Sequence, residues 1–373
     1  LSNPALSPDG RHVVFERTST NWDKNRFERE LWISKDGGDP YPLTRNAEGS
    51  SRGAQWSPNG EWIAFTSDRG NGNQIHLIRA AGGESFPFTD IKGGIGSFEW
   101  APDGSRIAFL QKEDTESEDK DQKEKYGEFE IDDAEFRRSY LWVKEVLPAQ
   151  LTEAPLPDQQ KDSLWKEARK PVALVDSVDF HINDFKWSPD GTKIALEHQP
   201  DPLINSFFHS DISIYDVGSG DIQPLVENPS SDSFRDWSPD SKSILYSTNL
   251  ADSTSNYYKN DRYFRIDTDG KNNRQLASGF DENIYGFRWT SAGIFATAWQ
   301  KTSRPVVRIH PENGELKILE GDLDLIWQLS FDRSGEQVVY IGRNHDGLSE
   351  IRKADAQFKK SRLIGTASPQ IED

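Results

Sequence analysis

The chain contains no cysteine, which excludes disulfides, thiolate nucleophiles and cysteine-ligated metals, so packing and hydrogen bonds must hold whatever folds. Methionine is also absent from all 373 residues. No apolar run approaches the roughly 20 residues that a membrane helix needs, so no such span is expected. Positive charge is short: 44 Lys and Arg stand against 62 Asp and Glu, a net charge of -18 that repels phosphate backbones and excludes nucleic acid as a partner. The opening "LSNPALSPDG" has neither the charged nor the apolar region of a signal peptide. It enters a repeat directly and without Met, as though continuing from a longer chain. A cysteine-free chain suits the cytoplasm or the periplasm; we expect the periplasm or secretion in preference to the cytoplasm.

What is present is repetition. "LSPDG" (6–10), "WSPNG" (56–60), "WAPDG" (100–104), "WSPDG" (187–191) and "WSPDS" (237–241) are followed by two decayed copies, "WTSAG" (289–293) and "FDRSG" (331–335). The steps are 50, 44, 87, 50, 52 and 42 residues, and no second copy lies inside the longest. After each copy comes a β-branched or aromatic run, such as "HVVF" (12–15), "WIAF" (62–65) or "QVVY" (337–340), which reads as a strand. A third strand follows, as in "ELWIS" (30–34) or "DISIYDV" (211–217), and then a fourth, as in "PYPLT" (40–44), "PAQLT" (148–152) or "IQPLV" (222–226). With the strand that ends at the Trp, each unit has four.

Four-stranded units of 40 to 50 residues are the signature of a β-propeller. A two-sheet sandwich does not repeat a turn and four strands in frame. The expected fold is therefore all-β, a seven-bladed β-propeller of four-stranded antiparallel blades in a single domain, residues 1–373. Blades start near 1, 51, 95, 181, 232, 284 and 326, with an acidic insert at 112–138 and a second insert at 155–179. First and last blades begin and end on blade boundaries, which predicts ring closure by packing between them rather than by a shared strand.

Within the pentapeptide, Ser supplies a short hydrogen-bonding side chain, Pro pre-sets the next backbone angle and Gly accepts a left-handed conformation. It reads as the corner between first and second strands. Ser241 then occupies the left-handed position at a cost of about 1 kcal/mol, and the preceding Trp wedges between blades.

Seven units of this form, W-S-P-D-G then I-A-F then L-W-V then Q-L-T, resemble the propeller repeats of the prolyl oligopeptidase family of serine peptidases, and those of the TolB periplasmic proteins. "SNPALSPDGRHVVF" (2–15), the charged stretch 113–146 and "FDENIYGFRWTSAGIFATA" (280–298) are similar to the acylaminoacyl-peptidase and dipeptidyl-peptidase branch. The resemblance implies a substrate-gating and scaffold propeller over an α/β-hydrolase domain expected after residue 373, with short peptides as substrate. Catalysis there belongs to a Ser, His and Asp on the hydrolase. No catalytic residue is assigned to this chain, and no cofactor or metal is expected. The alternatives are a stand-alone TolB-like binding propeller and, less favoured, a metal-dependent lyase propeller.

Individual motifs weigh little against this. "GSSRG" (49–53) matches the nucleophile elbow G-x-S-x-G, but it sits in a polar connection without the helix an elbow needs, so Ser51 is read as an ordinary residue. The seven histidines lack the paired spacing of a zinc site; His181 and His209 are the first candidates if a propeller axis gathers distant ligands. "DTDG" (267–270) lacks the later ligands of a calcium loop and reads as a turn. Segment 112–135 holds twelve acidic and four basic residues, 4 - 12 = -8. By the resemblance, Glu128, Glu130, Asp132 and Asp133 are weak candidates for binding a substrate's free ammonium. In the second insert, Pro157 and Asp158 open a short helix that Pro171 ends, placing Trp165 against the ring or a partner domain. Self-association is left open.

Overall fold

The computed structural model describes residues 1–70, 72–113, 125, 127, 136–146, 170–250 and 259–366. Among them are seven antiparallel sheets of four strands, each hydrogen-bonded in chain order, arranged as the blades of a propeller. The innermost strands are β1 (Ser2–Leu6), β5 (Ser51–Trp56), β9 (Phe98–Trp100), β13 (His181–Trp187), β17 (Asp232–Trp237), β21 (Ile284–Thr290) and β25 (Leu325–Phe331). Each feeds a buried second strand, as in β6 (Trp62–Ser67), where all six residues are buried. A β-branched and aromatic run with both faces covered is what a strand between two blades requires.

The corners behave as their sequence dictates. In "WSPDG" the Ser188 hydroxyl donates to Asp190 Oδ1 at 2.7 Å and accepts the Lys193 backbone N–H at 2.9 Å, while Gly191 N–H closes the turn on the Ser188 carbonyl. The same Ser–Asp pair recurs at Ser238 and Asp240, where the Ser238 hydroxyl holds the carboxyl below its usual range. "WTSAG" is different: Thr290 pairs directly with Gly293, leaving a tighter hairpin with only Ser291 and Ala292 at its tip. Without Pro and Asp, nothing specifies the longer corner.

Ser241 is left-handed, with φ 62°. Its hydroxyl also accepts the Asp190 N–H of the preceding blade at 3.0 Å, so strain and bond oppose each other. We expect Ser241→Gly to leave stability within about 0.5 kcal/mol, while Ser241→Ala, which keeps the strain and loses the bond, costs about 1 kcal/mol; urea denaturation separates them.

The Trp residues lie across the seams. Trp56 donates its indole N–H to the Ala5 carbonyl at 3.1 Å and Trp237 to the Lys186 carbonyl at 3.0 Å, in each case a residue of the preceding blade. Arg106 of the third blade covers the Trp187 ring of the fourth, 5.4 Å from its centroid.

One element differs from the sequence reading. The fourth strand of the third blade is Val172–Val175, paired with Ser139–Glu145 through Leu141 and Val175. "PAQLT" was assigned that place because it fits the repeat, but "VALV", rich in β-branched residues, takes it. Residues 148–152, the helix from 157 and Trp165 lie outside the described residues.

First and last blades close the ring as the strand count predicts. Strands β1 to β4 (Tyr41–Pro42) form one sheet and β25 to β28 (Arg362–Thr366) another, with no strand exchanged. Leu6, Val13 and Phe15 pack on Val339, Ile341, Ile351 and Ile364. Leu6 N–H donates to Ser330 Oγ at 3.1 Å, and Asn3 and Gln328 exchange bonds of 3.0 and 2.7 Å.

Candidate gating channel

Because strands alternate in direction, turns from first to second strands share one face with turns from third to fourth. Second-to-third turns and blade-to-blade connections share the other, hereafter the loop face. The inner strands run between the two and line the axis.

Six of the seven inner strands slip register against their second strands, at Ser2/Ala5, Arg52/Gln55, Ile182/Asp184, Phe234/Asp236, Tyr285/Arg288 and Trp327/Ser330. Bulges of this kind curve a strand and release backbone groups from the ladder. In four of them a residue turns left-handed: Asn3, Gly53, Gly286 and Gln328. A Cβ on Gly286 would meet nothing within 4 Å, so backbone angle and not space calls for glycine there.

Polar side chains of one blade capture inner-strand backbone of the next. Glu16 accepts Gly53 N–H at 2.8 Å, Glu99 accepts Trp187 N–H at 2.9 Å, Glu197 accepts Phe234 N–H at 2.8 Å and Asp236 accepts Trp289 N–H at 2.6 Å. Gln55 donates to the Phe98 carbonyl at 2.6 Å. With the Asn3–Gln328 pair, six of seven seams are clamped in this way. A buried N–H left unpaired costs about 1–3 kcal/mol, which is why a carboxylate is tolerated at four of these seams.

That tolerance shifts the acids. Burial pushes the Glu197 carboxyl up to about 7, against the Phe234 N–H, which favours its charged form. Burial also raises Glu99, Asp184 and Asp236. Lys186 Nζ lies 2.7 Å from Glu99 Oε1, and its attraction to that carboxylate raises the Lys186 pKa. Solvent still reaches 48% of the Lys186 side chain, because it faces the channel and not packed core.

A glutamine at 197 keeps an acceptor for Phe234 and removes the charge. The folded pKa is raised, so the native state retains a proton that the unfolded chain loses between pH 4.5 and about 7. Stability therefore falls as pH rises through that window. We expect Glu197→Gln to match the parent at pH 4.5 and exceed it by roughly 1–3 kcal/mol at pH 8, read from thermal unfolding across pH.

A cavity of 580 Å³ opens between the middle stretches of β1, β5, β21 and β25, with Arg304 reaching it from a second-to-third connection on the loop face. Arg288, Arg304, Gln55, Gln328, Trp327 and Ser330 are among its walls, and no carboxylate is. Sequence reading missed this site. Its residues come from four blades and share no spacing; only the bulge glycines Gly53 and Gly286, standing inside strands, mark it.

The residues singled out from sequence are placed as follows. Glu128, Glu130, Asp132 and Asp133 lie outside the described residues. Ser51 is fully buried on β5 with its hydroxyl against Asn46, and no elbow is formed. His181 Nδ1 accepts the Ser139 N–H at 2.9 Å, joining two blades, and His209 ends a short 3-10 turn, Ile204–His209. No group of three metal-ligating side chains occurs among the described residues. One Ser–His contact does exist, His198 Nε2 to Ser213 Oγ at 2.8 Å. Ser213 is buried and His198 half-buried inside a blade; His198 stacks on Phe180 at 4.1 Å, and burial holds its pKa down to about 4. No substrate reaches that hydroxyl.

Seven four-stranded blades around a polar, clamped channel define the class of the chain as a seven-bladed β-propeller. Solved structures that share this fold include the propeller domains of prolyl oligopeptidase-family peptidases. No family model matches the chain. It is 27% identical over 341 residues to dipeptidyl-peptidase 5 of Porphyromonas gingivalis, spanning 87% of this chain and 48% of that protein. The fold is shared with an acylaminoacyl peptidase of Pyrococcus horikoshii, at TM-score 0.69 and 17% identity, over 98% of this chain and 52% of that one. It is shared too with the β-propeller domain of the trilobed protease from Pyrococcus furiosus, described as having an open velcro topology, at TM-score 0.65 and 16% identity, over 100% and 97%. The chain thus spans about half the length of the two peptidases.

Proposed function

We propose that this chain is one propeller domain, the non-catalytic substrate gate and scaffold of a serine peptidase of the acylaminoacyl or dipeptidyl type, with its loop face carrying an α/β-hydrolase domain. The observation that carries the reading is the distribution of exposed apolar side chains. Among the described residues, twelve large hydrophobics are exposed. Eight stand on or beside the loop face, including Trp22, Phe27, Ile204, Phe207, Trp299 and Leu348; the other four lie in outermost strands. Exposed apolar surface gathered on one face marks an interface. An even strand count also brings the start of β1 and the end of β28 to that face, and the relatives are about twice as long. Amide hydrolysis would proceed on the hydrolase through a Ser activated by His, with short peptides admitted by the ring.

The test is labelling with a fluorophosphonate probe, together with cleavage of dipeptidyl and acylaminoacyl anilides. Residues 1–373 alone are expected to be inert. The complete gene product is expected to label on a serine outside them and to cut short peptides but not folded proteins. Labelling of the propeller alone, or none in the complete product, would overturn the reading.

A further inference from the structure

We infer that Arg304 and Arg288, which line this channel cavity, form a receptor for the C-terminal carboxylate of a short peptide. The inference deepens the gating reading by naming the end of the peptide that the ring holds. Arg304 is unusual among the cations here. Its guanidinium lies 4.9 Å from the Tyr285 ring centroid and 5.8 Å from that of Trp299, so aromatic faces fix its plane. Nε donates to Thr297 Oγ1 at 3.0 Å. The described residues offer no acceptor to the remaining N–H groups, and no ion pair forms at Arg304. Burial lowers its pKa, as expected of a cation without a carboxylate beside it. Arg288, on β21, spends one Nη on the Phe287 carbonyl at 2.6 Å and lies on the same cavity wall.

The rest of the cavity matches a peptide end. Trp327 and Leu329 give it apolar wall, while Gln328 and Gln55 are already committed to Asn3 and Phe98. Glu16, the buried acid nearest the β1 bulge, is satisfied by Ser2, Asn3 and Gly53. In a chain of net charge -18, this cavity is lined by two arginines and no acid; the carboxylate that feels Arg288 is Asp236, on the neighbouring blade. A guanidinium held in plane offers a carboxylate two parallel N–H bonds, which suits a planar carboxylate better than a point charge would.

The experiment is calorimetric titration of the 373-residue chain with N-acetyl-trialanine, its C-terminal amide and inorganic phosphate. The free-acid peptide is expected to bind, the amide roughly tenfold or more weakly, and Arg304→Ala and Arg288→Ala each to lose about the same factor. Arg288 is exposed, so its variant reports on binding even if the Arg304 variant unsettles the aromatic stack. Equal binding of acid and amide, or unchanged binding in Arg288→Ala and in a folded Arg304→Ala, would overturn the inference. So would phosphate binding as tightly as the peptide and displacing it, which would mark an unselective anion site. None of these outcomes bears on whether a hydrolase domain is present, which the labelling experiment decides.

Discussion

Replacing Ile341 with alanine is expected to lower the free energy of unfolding by about 2–5 kcal/mol, the cost of a core cavity at a site that cannot collapse. Ile341 is fully buried in the seam between the first and last blades. At other seams the chain itself runs from blade to blade. At this one the partners are separated by more than 300 residues, and side-chain packing with a few bonds such as Asn3 to Gln328 is all that joins them. Ile107, equally buried among second- and third-blade residues, provides the control. Both alanine variants should lose comparable stability in urea, but only Ile341→Ala should speed amide exchange in β1 and β28. If exchange rises in neither terminal strand, the seam is not the point at which the ring opens.

Trp237→Ala is expected to cost about 3–5 kcal/mol. The ring is 2% exposed and sits between Ile212 and Ile214 of the fourth blade and Ile244 and Tyr246 of its own. Its N–H also satisfies the Lys186 carbonyl across the seam. The phenylalanine variant keeps much of the packing and abandons that carbonyl. Trp187 offers a contrast, since its indole N–H meets no acceptor among the described residues. Trp237→Phe should therefore lose about 1 kcal/mol more than Trp187→Phe, measured by the same denaturation curves. Equal losses would show that the indole bond adds nothing.

Architecture was legible in the sequence because a propeller repeats its punctuation. Pro and Gly at most of the corners have local reasons for being there, so "SPDG" and its variants mark turns and their spacing counts the blades. The error at "PAQLT" shows where that logic stops. A fourth strand lies at a blade's outer edge, where two short segments of similar propensity compete and pairing decides. Channel chemistry was less legible. Glu99, Glu197 and Asp236 sit in strands where nothing local distinguishes a carboxylate that clamps the next blade from one that faces solvent. Only when neighbouring blades are brought together do Glu99 and Trp187, 88 residues apart, become partners.

The corners also touch one another around the ring. A Cβ on Gly60 would lie 3.7 Å from Pro8, one on Gly104 3.5 Å from Pro58 and one on Gly191 3.6 Å from Pro102. Asp190 N–H bonds Ser241, Ser291 bonds the Ser334 carbonyl and Arg333 N–H bonds the Pro8 carbonyl. These links join six of the seven blade pairs into a belt on the face away from the exposed aromatics. A ring belted on one rim is mechanically polar: the blades can tilt about the belted rim as petals tilt about a calyx. Any dilation of the channel is then expected to widen the loop-face rim before the opposite mouth.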